Sequence, residues 1–205
     1  MRAHKEILTY EQEKLLPLIG EFAKDFGLAG GTAIALNIGH RRSIDFDIFS
    51  LKEFDNHQIK RKISKNHKIE NVINDEEGQY TVLIKGVRLT FLYYPYKISF
   101  LERFDNIIRL PNLLMLATMK AFALSRRVKW KDYVDLYFVM KDYFSLDEIS
   151  KQGEKIFGKE FNEKIFRESL AYFKDINYGE KVIFMPGFEV SDTIIKKRLT
   201  KISLT

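Results

Sequence analysis

The 205-residue sequence contains no cysteine, which excludes disulfides, thiolate nucleophiles and Cys-ligated zinc or iron–sulfur sites and is compatible with a reducing compartment. It has no apolar run near the roughly 18 residues of a membrane span. Its N-terminus, MRAHKEILTYEQEKLL, is charged throughout where a signal peptide has an apolar centre. A soluble, cytoplasmic protein with no membrane partner is expected. Only four prolines occur (Pro17, Pro95, Pro111, Pro186), too scattered to form a linker, and there is no internal repeat or low-complexity tract. Apolar residues, by contrast, are plentiful at 45%, with 17 Phe and 10 Tyr. That supply exceeds what disordered chains carry and suffices for one domain, or a small domain with a helical appendage. Thirty-four Lys and Arg against 28 Asp and Glu leave a net charge of +6, gathered into clusters that favour phosphate-rich partners.

Hydrophobic spacing divides the chain near Pro111. Leu15, Leu16, Ile19, Phe22, Ala23 and Phe26 recur at helical intervals over residues 11–26, and TAIALNIG reads as a short helix stopped by Gly39. In SIDFDIF, Ser43, Asp45, Asp47 and Phe49 alternate with Ile44, Phe46 and Ile48, the period of a strand. A helix is expected from Asp55, with Gln58 completing a capping box. Residues 68–74, 79–85 and 87–94 read as strands, the last two joined by a tight turn at Lys85-Gly86. After Pro111 helices are expected over 112–125 and 131–143, in a segment capped by Ser145 with Glu148, and over 159–173 and 191–201. The fold class is therefore α/β (α+β), a mixed sheet with flanking helices (residues 1–110) followed by a C-terminal helical subdomain (residues 111–205).

Residues 28–49, LAGGTAIALNIGHRRSIDFDIF, concentrate the chemistry. Two glycines between a short apolar strand and a helix let backbone approach a ligand closely, and Thr32 adds a hydroxyl beside unpaired helix N–H groups, a geometry suited to a triphosphate. Asp45 and Asp47, about 6.6 Å apart along one strand face, call for a cation. Mg²⁺ fits, because it takes oxygen ligands and keeps waters and substrate phosphates in its remaining positions. Arg41 and Arg42 precede the acids and could meet phosphate or hold the carboxylates; His40 in the same loop is more commonly structural than a general base. Lys120 stands in an otherwise apolar helix, LLMLATMKAFAL, where a buried ammonium would need an anionic partner. Basic clusters occur at Lys60–Lys68, at Arg126, Arg127, Lys129 and Lys131, and at Lys196–Lys201. Trp130, among the second cluster, could stack on a base or simply pack a helix.

GGTAIAL, GHRRSIDFDIF and KAFALSRRVKWKDYVDLYF, together with YYPY and LAYFKDI, resemble the AbiEii/AbiGii toxin-type nucleotidyltransferases over most of the chain. The resemblance implies a nucleotidyltransferase fold. It matches Gly30, Gly31 and Thr32 to the nucleotide-phosphate motif and Asp45 and Asp47 to the metal-binding acids, and it matches Lys120, Asp132 and Asp135 to the active-site lysine and Asp-x-x-Asp element. Nucleotide contact is expected from Gly30, Gly31, Thr32, Arg41, Ser43 and Arg127, and catalysis from Asp45, Asp47, Lys120, Asp132 and Asp135. The implied activity is Mg²⁺- or Mn²⁺-dependent transfer of a nucleoside monophosphate from an NTP to an acceptor, RNA such as tRNA, by a toxin with a cognate antitoxin. One position departs from the pattern: GVRLTFLYYPY places Thr90 where many nucleotidyltransferases carry a third carboxylate. That departure keeps two rivals open, a catalytically reduced nucleotide-binding or partner-binding module and a metal-dependent phosphohydrolase.

Overall fold

The structure is a computed structural model and describes residues 3–205. A single 3-10 turn, Lys5–Ile7, precedes α1 (Tyr10–Glu21), whose first turn is closed by a reciprocal cap: Gln12 N–H donates to Thr9 Oγ1 at 3.2 Å and Thr9 N–H donates to Gln12 Oε1 at 3.0 Å. Leu15, Leu18 and Ile19 form its buried face, and Pro17 sits within it. This helix ends five residues earlier than its apolar spacing implies; residues 22–25 turn instead, and Phe22 and Phe26 face the core from there.

Strand β1 (Gly27–Ala29) runs directly into α2 (Gly30–Ile38), which stops at Gly39 in the left-handed conformation. In β2 (Asp45–Ser50) Phe46, Ile48 and Ser50 are buried while Asp45, Asp47 and Phe49 lie on the opposite, half-open face. Helix α3 (Asn56–Ser64) begins at Asp55, but the cap differs from the expected box: Asp55 Oδ1 accepts from His57 N–H at 2.8 Å, one residue short of Gln58. Strands β3 (Asn71–Glu76), β4 (Gln79–Ile84) and β5 (Val87–Tyr93) follow; the two-residue turn between β4 and β5 puts Lys85 at φ 50° and Gly86 at φ 71°. A small hairpin, β6 (Glu102–Phe104) with β7 (Ile108–Leu110), precedes Pro111.

Beyond it come α4 (Leu113–Leu124), α5 (Trp130–Asp142), α6 (Leu146–Phe157), α7 (Glu163–Ala171) and α8 (Asp192–Ser203). The expected Ser145–Glu148 box closes α6 in both directions. The main sheet has the order β1-β2-β5-β4-β3, with β2 and β5 parallel and every other pair antiparallel. One buried apolar cluster runs from Ile7 to Leu199 and draws on both sides of Pro111. No helix among the described residues is long and apolar enough to cross a membrane.

Candidate nucleotide and metal site

Strand register assembles the floor of the site. Asp45 lies opposite Arg88, Asp47 opposite Thr90, and Thr90 in turn opposite Thr81, so residues of like parity on β2, β5 and β4 share one face of the sheet. Phe49 and Leu92 form the next row outward. Helix α4 crosses above and presents Leu116, Met119, Lys120 and Ala123, enclosing a cavity of about 610 Å³ between helix and sheet. Gly30, Gly31, Arg41, Ser43, Asp45, Asp47, Lys120, Arg127 and Asp132 all line it. Those nine expected residues are thus brought together by segments far apart in sequence.

The two glycines are needed for space as much as for conformation. Gly30 adopts φ 67°, and a Cβ there would stand 2.3 Å from Asp47 Oδ2; one at Gly31 would stand 2.6 Å from Arg41 Nη2. The turn therefore lies flat against a carboxylate and a guanidinium. Thr32 has another part. Its buried hydroxyl lies 2.7 Å from Ser43 Oγ and donates to the carbonyl of Asp45, pinning the start of β2 to α2, and it does not line the cavity.

Behind the cavity wall is an ion network. Asp135 on α5, fully buried, accepts from Arg41 Nε at 2.7 Å and Nη2 at 2.9 Å, and from His40 Nε2 at 2.8 Å; Lys120 Nζ lies 3.1 Å away. One helical turn earlier, Asp132 accepts from Lys120 Nζ at 2.7 Å and Arg127 Nε at 3.0 Å. Burial alone would push both carboxyls up, but Arg41 and Lys120 around Asp135, and Lys120 and Arg127 around Asp132, outweigh it and hold both below the usual carboxylate range. Burial likewise opposes charge on Lys120, whose side chain is 7% exposed, and its two aspartates more than offset that. For His40 burial wins over Asp135 and lowers the imidazole. Its ring sits 5.0 Å from that of Phe138, so His40 is a support of Asp135 rather than a group facing the cavity. Asp135 does not line the cavity either; it reaches the site through Arg41 and Lys120.

Asp47 differs from these paired acids. Burial, and then the neighbouring charge of Asp45, raise its carboxyl above the ordinary value, with Lys120, Arg127 and Arg88 offsetting only part. A divalent cation shared with Asp45 would relieve that repulsion. Among the described residues no group of three or more His, Cys, Asp or Glu converges on a metal position. Two carboxylates with the Thr90 hydroxyl alongside nevertheless fit Mg²⁺, which is commonly held by one or two carboxylates plus substrate phosphate. Asp45 is at present paired with Arg88, so a cation there competes with that guanidinium.

Two residues of the site carry no local sequence signal. Arg88 bridges Asp45 and Glu180, and Glu180 also pairs with Lys129 at 3.3 Å and Lys131 at 2.8 Å. Burial opposes its ionisation, yet Lys131, Lys129 and Arg88 bring its carboxyl down to about 2. The segment that bears Glu180 is stitched across the molecule: Arg42 N–H donates to Ile183 O at 2.8 Å, Met185 N–H to His40 O at 3.0 Å, and Asn177 N–H to Val128 O at 2.8 Å. Trp130 is buried among Tyr133, Tyr178 and Lys196, which makes it a packing aromatic.

Comparison with known proteins agrees with this architecture. No family model matches the chain. The uncharacterized protein aq_aa25 of Aquifex aeolicus is 30% identical over 204 residues, covering 97% of each chain. Among solved structures, JHP933 of Helicobacter pylori superposes with a TM-score of 0.61 at 18% identity, covering 96% of this chain and 92% of that one. The nucleotidyltransferase toxin MenT4 of Mycobacterium tuberculosis gives 0.59 at 12% identity, covering 94% and 80%. The mixed sheet and flanking helices are thus those of the nucleotidyltransferase fold.

Proposed function

The chain belongs to the family of the uncharacterized Aquifex aeolicus protein aq_aa25, and we propose that it is a nucleotidyltransferase of the AbiEii/AbiGii toxin type. It would move a nucleoside monophosphate from an NTP to an RNA acceptor, tRNA being the expected one, in the cytoplasm and under the control of a cognate antitoxin. The observation that carries this reading is the placement of Asp45 and Asp47 on one strand face across a cavity from Lys120 and Arg127. Carboxylates and cations so opposed suit a metal–triphosphate, and the MenT4 toxin shares the fold.

Asp45 and Asp47 would hold Mg²⁺ or Mn²⁺, which supplies charge neutralisation at the phosphates and orientation of the α-phosphorus. Gly30 and Gly31 open the first turn of α2 to the phosphate tail, whose charge Lys120 and Arg127 balance. Ser43 offers a hydroxyl at the cavity wall, while Arg41, Asp132 and Asp135 fix the height and direction of Lys120 and Arg127. The acceptor hydroxyl attacks the α-phosphorus in line, its proton leaves to a base, and pyrophosphate departs.

A second reading is favoured by one particular contact: Thr90, not an acid, faces Asp47 across the strands. A hydroxyl is a poor base for an acceptor, so a nucleotide-binding or partner-binding module with reduced catalysis, or a phosphohydrolase that accepts water, fits the same cavity. Incubation with α-labelled NTP, Mg²⁺ and tRNA separates the readings. Label in RNA supports transfer, free labelled nucleoside mono- or diphosphate supports hydrolysis, and retained NTP with a measurable dissociation constant supports binding alone.

A further inference from the structure

Beside the carboxylate pair, on the rim of the cavity, three cations from different parts of the fold converge on one side chain. Arg88 comes from β5, Lys129 caps the start of α5 and Lys131 stands in its first turn. Their terminal nitrogens lie 3.4, 3.3 and 2.8 Å from the Glu180 carboxylate oxygens. The proposed transfer reaction assigns no part to any of these four residues, and all four line the cavity.

Convergence of this kind is expensive unless an anion is present, because three like charges repel wherever they are gathered. A carboxylate has two oxygens to share among the three; here Oε1 serves Arg88 and Lys129, and Oε2 serves Lys131. A phosphate presents more acceptor oxygens to the same three donors and carries more charge. Glu180, moreover, is not built into a helix or strand. It lies in irregular chain between the contacts at Asn177 and Ile183, and its side chain remains about one-third exposed. Such a group can swing aside without unfolding anything. Because Arg88 also holds Asp45, an anion that draws Arg88 away frees Asp45 for a cation, linking anion binding to metal binding.

We propose that Arg88, Lys129 and Lys131 form a phosphate-binding subsite and that Glu180 occupies it as an internal stand-in until a substrate phosphate displaces it. The subsite deepens the nucleotidyltransferase reading and rests on it for the identity of the substrate, though not for the binding of phosphate itself.

The test uses the full chain at fixed ionic strength and measures binding of inorganic tripolyphosphate and of a single-stranded oligoribonucleotide, each without NTP, to wild type, Glu180→Gln, and Glu180→Gln with Lys129→Gln and Lys131→Gln. Glu180→Gln is expected to bind about tenfold more tightly, as for gain of a charge-assisted contact in place of a competing acid. The triple variant is expected to lose the gain, and Glu53→Gln, an exposed acid elsewhere, to change nothing. A gain for tripolyphosphate assigns the subsite to the nucleotide's phosphate tail, and a gain for the oligonucleotide alone assigns it to an acceptor phosphate. Equal or weaker binding of both ligands by a Glu180→Gln protein with a normal melting curve overturns the proposal and leaves Glu180 as a structural clamp. Failure of NTP transfer with the gain intact would refute the nucleotidyltransferase reading and leave the subsite standing.

Discussion

Asp135→Asn isolates the electrostatic hub without changing its shape. In the native protein this carboxylate answers Arg41, His40 and Lys120, and Arg41 is only 1% exposed. The amide retains one acceptor oxygen, loses the charge, and adds two donors facing a guanidinium. Lys120 keeps Asp132, but Arg41 keeps the carbonyl of Arg42 at 3.0 Å and at most one neutral amide oxygen, with no carboxylate at hydrogen-bond distance. Breaking one side of a buried ion pair typically costs about 3–5 kcal/mol. That is a large part of the roughly 5–15 kcal/mol that holds a domain together. For a chain of this length the melting temperature should fall by roughly 6–20 °C, at about 2–4 °C per kcal/mol. Urea unfolding should show a lower midpoint at an unchanged slope. The exposed pair Asp147–Arg167 serves as control, and Asp147→Asn should stay within about 0.5 kcal/mol of wild type. The wild-type loss should also follow pH. Because Asp135 titrates lower folded than unfolded, its contribution is fully present above the unfolded value of about 3.9 and disappears as pH falls through the depressed folded value. An Asp135→Asn protein within about 0.5 kcal/mol of wild type at pH 7 would refute the hub, since Arg41 would then need no counter-charge.

Four further outcomes follow from the site. Asp45→Ala and Asp47→Ala should each abolish calorimetric Mg²⁺–NTP binding, and in the wild type that binding should weaken as pH falls into the range where Asp47, raised above its ordinary value, takes up a proton; wild-type affinity in Asp47→Ala would remove Asp47 from the metal. Lys120→Met should abolish label transfer and also lower the melting temperature, since Asp132 and Asp135 lose a shared buried partner; full activity would exclude the lysine from the mechanism. Gly30→Ala should destabilise by about 1–2 kcal/mol for its left-handed backbone and weaken nucleotide binding as Asp47 is displaced; an unperturbed melting curve would contradict the close approach. Thr90→Asp should leave NTP binding intact and raise transfer, by up to about 10²–10⁴-fold if the acceptor otherwise lacks a base; loss of binding would show that Thr90 touches the nucleotide.

Local pattern made much of this visible in the sequence. Strict alternation in SIDFDIF announced that Asp45 and Asp47 share a face, and β2 presents them so. The isolated charge of Lys120 in an apolar helix called for anionic partners, and Asp132 and Asp135 supply them. Thr90, singled out in the sequence as the position where many nucleotidyltransferases carry a third carboxylate, stands directly opposite Asp47. Arg88 and Glu180 were illegible for a definite reason: 92 residues separate them, and nothing within either neighbourhood distinguishes an arginine or glutamate that will line the cavity from one left in solvent. The hairpin β6–β7 has three residues per strand, too few to establish a period. Thr32 was read from its place at a helix start, which does not reveal that its hydroxyl turns inward to Ser43 and Asp45. The break of α1 at Glu21 is a case of tertiary demand, since Phe22 and Phe26 contact Phe91 from a turn.

The stitching of residues 177–185 to residues 40–42 and 128–130 has a consequence during synthesis. A ribosome delivers Arg41 long before Asp135, and Arg88 long before Glu180, each interval exceeding ninety residues. Until α5 emerges, Arg41 has no counter-charge to accompany it into the interior, so the Gly30-Gly31 turn cannot settle against it. The cavity is therefore an attribute of the nearly finished polypeptide. A nascent or prematurely terminated chain that ends before Asp132 carries the carboxylates of β2 but neither anchor for Lys120, so it holds only part of the site.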